Sequence, residues 1–441
     1  MFNNLVSTVP IQLRNHSSST QIRPYLGTIV IVKPLFAIAK PVVLQSWLRK
    51  HQTCIVRTVP DHVLQIGYIR TLPPHNAQTK KLTLNTSLTV SNHFFLNISM
   101  AEYQNKAAWL PGVGKQVEIG PAEIPEPGPG ELLIEVKVVA AQPAEYKIQE
   151  GTLPYQLNYP TIIGISFSGV VVKVGTEVSR FKKGDRIVTN SAGSIRNDPR
   201  FGAYQKYAVT TQEMTAKIGE VSFEAAVSIS SLAYPASALF IHLHLEKPAE
   251  HPNPENKNKK VLIWGASSSF GAYATYLAAR AGYTVVGVAS SKNAQLVKSF
   301  GAVHFVDRRS PTVTQELIDI GPFEAVLAAA DAAQDQPVLG AVLAAHGGGS
   351  FLSTMGLRPG VELPPGVQGN FVAIMDVYLD PKTRDFTTWV WWDFLESELA
   401  SGRLQPVPVQ ILGGLDKVQE AWNLLKAGKV SGQRLAITPG L

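Results

Sequence analysis

The chain has 441 residues, two to three times the length of a typical single domain, so two domains are expected rather than one core. Its 45% hydrophobic, 17% charged and 8% aromatic content is that of a folded protein and excludes collagen-like, low-complexity and disordered chains. The net charge of +7 is not a nucleic-acid signature: the first 99 residues hold ten Lys and Arg against Asp61 alone, which leaves the remainder close to neutral.

Taken in chain order, residues 1–99 differ in kind from the rest. They are rich in Ser, Thr, Asn and His, carry scattered prolines, and lack glycine-punctuated alternation of strand and helix. The most lipophilic run, Gly27 to Leu44, is broken by Lys33-Pro34 and Lys40-Pro41, so no membrane span and no membrane partner are expected. The single cysteine, Cys54, excludes an internal disulfide framework and a cysteine-rich zinc site, and suits a reducing compartment. The segment reads as an N-terminal extension. It is either a reading frame extended upstream of a start at Met100, the favoured reading, or a basic, Ser-bearing transit-like peptide. The sequons at Asn15, Asn85 and Asn97 carry little weight without a secretory signal.

Order begins after Met100. The turn-rich Pro121 to Gly130 leads into Glu131 to Val138, where Ile134, Val136 and Val138 alternate with Glu135 and Lys137 as in a half-buried strand. Further strands are expected at Gly169 to Val174 and Arg186 to Val188. Short strands between glycine turns predict a barrel-like β-domain. After the proline-rich Lys247 to Lys260 connection, apolar strands at Val261 to Trp264, Thr284 to Ala289, Val303 to Val306 and Ala325 to Ala329 alternate with helix-length segments. That spacing predicts a doubly wound parallel sheet, the α/β nucleotide-binding architecture.

The turn Gly265-Ala-Ser-Ser-Ser-Phe-Gly271 joins the first of these strands to a helix. Small residues there let the backbone approach a pyrophosphate, and free N–H groups at the helix start can bind it, which makes Gly265, Ser267, Ser268, Ser269, Phe270 and Gly271 the candidate cradle. The second strand ends in Ser290, Ser291, Lys292 and Asn293, with no acid before Asp307. Hydroxyls and an ammonium suit a 2′-phosphate, whereas a carboxylate would bind the 2′-hydroxyl of NAD, so the expected cofactor is NADPH. Arg308 is a candidate second charge, with a solvent-facing arginine after a strand as the equal alternative.

Together with Pro127-Gly-Pro-Gly130, Tyr159-Pro-Thr-Ile-Ile-Gly164, Gly175, Gly184-Asp185-Arg186 and Arg200-Phe-Gly-Ala-Tyr204, these motifs resemble the zinc-independent enoyl and quinone reductase branch of the medium-chain dehydrogenase/reductases. The resemblance covers about residues 103 to 441 and is closest to fungal NADPH-dependent trans-enoyl reductases and zinc-binding-dehydrogenase-like proteins. It implies a GroES-like catalytic domain over 100–235, a Rossmann NADPH domain over 236–375, and a return to the catalytic domain over 376–441, with Val430 to Ile437 as a strand. Zinc-dependent members carry Gly-His-Glu where this chain reads Gly164-Ile165-Ser166, so no metal is expected. His242 and His244 are read as structural.

The resemblance carries a lysine beside the nicotinamide onto Lys147, where it could orient or polarise a substrate carbonyl; a surface lysine on a short helix is the competing reading. Where relatives often have a threonine, this chain has the bulkier Tyr234, a candidate proton donor or a packed core residue. Tyr146, Val430 and Ser431 complete the expected cofactor contacts. The implied activity is NADPH-dependent reduction of an activated C=C bond in an enoyl thioester or enone, presented free or on a carrier, with a polyketide synthase as the implied partner. Two alternatives stay open: a quinone reductase, and a non-catalytic NADPH-binding regulatory protein. A monomer or homodimer is expected in the cytoplasm, or in the mitochondrion if the extension acts as a transit peptide.

Overall fold

The computed structural model describes residues 105–153, 155–191, 196–371 and 374–440, together with the backbone of four short strands nearer the N-terminus. The chain divides into two units, Met1–Phe94 and Phe95–Leu441. In the first, strands β1 (Val6–Ile11), β2 (Gly27–Val32), β3 (Cys54–Thr58) and β4 (Leu64–Tyr68) pair in that order, β2 with β3 in parallel and the others antiparallel. The composition-based reading of an appendage did not anticipate them. Their β-branched runs, such as Thr28-Ile-Val-Ile-Val32, supply the strand preference. Met100 and the three sequons lie outside the described residues.

In the second unit, strands β5 (Asn105–Leu110), β6 (Glu118–Ala122) and β8 (Thr161–Ile162) form one small sheet. The main barrel sheet runs β12 (Thr215–Lys217), β10 (Arg186–Asn190), β9 (Ser166–Val174), β7 (Glu131–Ala140), β20 (Arg434–Ile437) and β19 (Val409–Gly413), with β11 (Tyr207–Thr211) also on β7. Alternation on β7 puts Leu132, Ile134 and Val136 into the barrel core with Leu110, Phe167, Tyr204 and Trp422. Chain residues 434–437 pair with β7 through Ala436 and Ala140, so the C-terminal segment returns to the barrel sheet beside β7.

The parallel sheet has the order β15 (His304–Asp307), β14 (Thr284–Ala289), β13 (Lys260–Trp264), β16 (Ala325–Ala328), β17 (Gly349–Ser353) and β18 (Val367–Phe371). Successive residues of β13 serve two cores: Val261 and Ile263 on one face, Leu262 and Trp264 on the other. Burial on both faces is what a parallel sheet between two helix layers requires. Strand order reverses between β13 and β16, and ligands of such sheets bind beyond the carboxyl ends at that switch. Between barrel and sheet runs the one described helical stretch long and apolar enough to span a membrane, Phe223–His242, and 78% of its most apolar window is buried in the molecule. Pro235 interrupts it and cannot donate to the preceding turn, so the stretch passes through 3-10, α and π geometry in succession.

Candidate active site

One end of the barrel gathers a polar cluster, and the strand register explains why. Ala140 at the end of β7 faces Ser166 at the start of β9, and Ser166 faces Asn190 at the end of β10. Gln142 follows β7 directly and precedes helix α1 (Pro143–Gln149), which Pro143 opens with its preset φ. Gln142 Nε2 donates to Ser166 Oγ at 2.5 Å and to the Tyr234 hydroxyl at 3.1 Å. Ser166 Oγ donates to Asn190 Oδ1 at 2.6 Å and lies 3.2 Å from the Tyr234 hydroxyl. Tyr234, just before the Pro235 break, is half-buried.

Helix α1 is locked from below by Glu145, which is fully buried. Its carboxylate accepts from Tyr204 Oη at 2.5 Å, the Gln142 N–H at 3.0 Å, Trp422 Nε1 at 3.1 Å and the Ile165 N–H at 3.2 Å. Burial outweighs these donors and pushes its pKa up to about 7. The opposite end of α1 presents Lys147, whose Nζ faces the Met355 sulfur at 2.7 Å, in the loop after β17. A thioether is a weak acceptor. Burial, and then the nearby Arg358 charge, hold the ammonium pKa below its ordinary value, while Asp331 works in the other direction. Asp331 itself is committed to Ser353 Oγ at 3.0 Å and Gln336 Nε2 at 2.7 Å, and its carbonyl accepts from Arg358 at 2.7 Å. Lys147 therefore faces the carboxyl end of the parallel sheet with a charge that its neighbours leave largely uncompensated.

The candidate dinucleotide cradle is the turn between β13 and helix α3, where α2 denotes Phe223–Ile229 and α3 Ser269–Arg280. Ser268 caps α3, accepting the Gly271 N–H at 3.0 Å, and the N–H groups of Ser269 and Phe270 at the first two helical positions have no intrahelical acceptor. Gly265 has φ +77°, and a Cβ on Gly271 would lie 2.3 Å from the Gly265 carbonyl oxygen, so helix and strand touch through bare backbone. Open donors above a close backbone approach fit a pyrophosphate.

The expected cofactor residues divide. Asn293 Nδ2 donates to Ser267 Oγ and to Ser431 Oγ, each at 3.0 Å, which draws the cradle, the end of β14 and the C-terminal loop together. Ser290 and Lys292 are exposed or half-exposed beside them. Asp307, the register partner of Ala289, accepts hydrogen bonds from Ser291, so an acid does stand beside this group, on the neighbouring strand. Arg308 does not supply a free second charge: Nε donates to Asp335 Oδ1 at 3.1 Å and Nη2 to Oδ2 at 2.5 Å, a bidentate pair that turns the guanidinium to a buried carboxylate. Val430 packs against the barrel core, and Tyr146 is half-buried beside Lys147. His242 is partly buried and has an Nε2 without a partner. The sequence marks Ser166 only as a place where a metal ligand is missing, and gives no role to Gln142, Asn190, Asp331 or Arg358. Their meeting depends on register across three strands and on loops after β16 and β17, neither of which has a local signal. Among the described residues, no three His, Cys, Asp or Glu side chains gather as a metal site.

A doubly wound parallel sheet with a candidate pyrophosphate turn, joined to a β-sheet that takes up the C-terminal strands, is an architecture that nucleotide-dependent oxidoreductases use. Residues 128–220 match the alcohol dehydrogenase GroES-like domain. The chain is 33% identical over 344 residues to the trans-enoyl reductase himH of Aspergillus japonicus, covering 77% of this chain and 98% of that protein. It is 31% identical over 359 residues to the dehydrogenase orsE of Emericella nidulans, covering 76% and 99%. A quinone oxidoreductase from Pseudomonas syringae has the same fold, with a TM-score of 0.60 at 22% identity over 75% of this chain and 99% of the other. The chain belongs to the medium-chain dehydrogenase/reductase family, in its enoyl and quinone reductase branch. It is an oxidoreductase that uses a nicotinamide nucleotide on a small-molecule substrate.

Proposed function

We propose that the protein reduces an activated C=C bond, conjugated to a thioester or ketone, with NADPH as the hydride source. The observation that carries the reading is Lys147, a partly buried ammonium at the carboxyl end of the parallel sheet whose polar contact is the Met355 thioether. A cation held there polarises a carbonyl oxygen and stabilises the charge that develops on it when hydride reaches the β-carbon. The cofactor supplies the hydride; the protein's own part is to orient the two reactants and exclude water.

NADPH is favoured over NADH by Ser290 and Lys292 at the end of β14, where no carboxylate belongs to the strand itself. The name of himH, a trans-enoyl reductase almost all of whose length this chain spans, supports an enoyl substrate. We read that substrate as carrier-bound, with a polyketide synthase as its source, and the location as cytoplasmic. The test is NADPH oxidation by the full-length protein with a 2-butenoyl thioester, against NADH and against a quinone acceptor. NADPH-selective turnover of the thioester is expected; turnover of the quinone alone, or of neither, would overturn the reading.

A further inference from the structure

Counting donors in the barrel-end cluster leaves one proton uncommitted. Asn190 Nδ2 donates to the Ser230 carbonyl at 3.1 Å, which turns Asn190 Oδ1 toward Ser166. Ser166 Oγ gives its single hydrogen to that oxygen and can only accept from its other neighbours. Gln142 Nε2 spends its two hydrogens on Ser166 and on the Tyr234 oxygen. Tyr234 thus accepts from Gln142, and its own hydrogen rests against Ser166 Oγ at 3.2 Å, a long contact that a better acceptor can replace.

We propose that Tyr234 delivers the proton to the α-carbon of the substrate, and that Gln142, Ser166 and Asn190 are positioning residues that aim its hydroxyl; this rests on the reductase reading above. The β-carbon gains a hydride with its electron pair from the reduced nicotinamide, and the π pair moves to the carbonyl oxygen as an enolate. The enolate pair then forms the α-carbon C–H bond with the phenol proton. The O–H pair stays on Tyr234 as phenolate, and water restores the proton before the next turnover.

Two groups stabilise the phenolate: the Gln142 N–H, and the buried guanidinium of Arg434. Arg434 is 4% exposed, donates to the Ser228 carbonyl at 3.5 Å, and has no carboxylate within ion-pair distance among the described residues. Its charge, the Glu145 carboxyl and the Tyr378 phenol are the titratable groups that act on Tyr234. Burial holds the Tyr234 phenol above its ordinary pKa, so it is protonated at neutral pH, as a donor must be.

The test combines two readouts on the full-length protein. Reduction of a 2-butenoyl thioester in deuterium oxide is expected to label one face of the α-carbon. In Tyr234→Phe, kcat should fall by about 100-fold, the label should scatter over both faces, and the KM for NADPH should hold. Separately, tyrosinate absorbance is titrated without cofactor or substrate, with Tyr234→Phe identifying the step. In Gln142→Leu, which removes a donor to the phenolate, this step should move to higher pH, and the basic limb of kcat with it; in Ser166→Ala, which removes the acceptor of the phenol hydrogen, it should move to lower pH. Single-face labelling at undiminished kcat in Tyr234→Phe would overturn the proposal, as would a Tyr234 titration that neither substitution moves. Absence of any thioester turnover in the wild type would instead overturn the reductase reading on which the proposal rests.

Discussion

Lys147 carries more of the account than any other side chain, because its surroundings supply a weak acceptor where an ammonium ordinarily finds a carboxylate. Lys147→Ala should lower kcat/KM for a 2-enoyl thioester by about 100-fold, with the Kd for NADPH changed by less than about threefold, as steady-state kinetics and fluorescence titration would show. Cofactor choice separates Lys292 from Arg308. Lys292→Ala should reduce the preference for NADPH over NADH by about tenfold. Arg308→Ala should leave that preference unmoved and cost about 2 kcal/mol of stability, because it leaves the buried Asp335 carboxylate with the Ala332 N–H but no cation. Glu145 gives a pH signature. Its folded pKa of about 7 lies above the ordinary 4.5, so the folded state keeps a proton that the unfolded chain releases between those values. Its contribution to stability is complete below pH 4.5 and is lost as pH rises through 7. The stability of the wild type relative to Glu145→Gln should therefore shrink from pH 5 to pH 8 in chemical denaturation.

At the scale of elements, the contact between β13 and α3 decides whether the cradle exists. Gly271→Ala would place a methyl carbon 2.3 Å from a backbone oxygen that cannot swing away. The helix must back off the strand, which should weaken NADPH binding by more than tenfold and lower the Tm, both measurable on the purified protein. This part of the molecule was legible in the sequence, because small residues between an apolar strand and a helix leave a local mark: β14 lies at Thr284–Ala289, as its apolar run indicates. The helix Phe223–His242 was not legible. Pro235 and the serines at 228, 230, 231 and 237 disguise it, and the packing of barrel against sheet, rather than propensity, keeps it helical. The strands β1 to β4 went unread for a related reason: short β-branched runs without regular alternation leave no period to detect.

For the molecule as a whole, the site depends on three stretches far apart in the chain. Residues 142–147 and 166 come from the barrel, 331 to 358 from the ends of two sheet strands, and 431 from the C-terminal loop beside Asn293. The candidate cofactor turn and Lys147 could be named from motifs and resemblance. The Gln142–Ser166–Asn190 cluster could not, since only the pairing of β7, β9 and β10 brings those residues together. Arg308 shows the opposite limit: its position after a strand suggested a phosphate ligand, while Asp335, 27 residues on, takes its charge. The most direct test of the central claim uses the full-length protein, a 2-butenoyl thioester and NADPH deuterated at the transferable position. The account predicts a saturated thioester carrying that deuterium on its β-carbon. NADPH consumed with no deuterium in the recovered thioester, or a saturated product without the label, would contradict it.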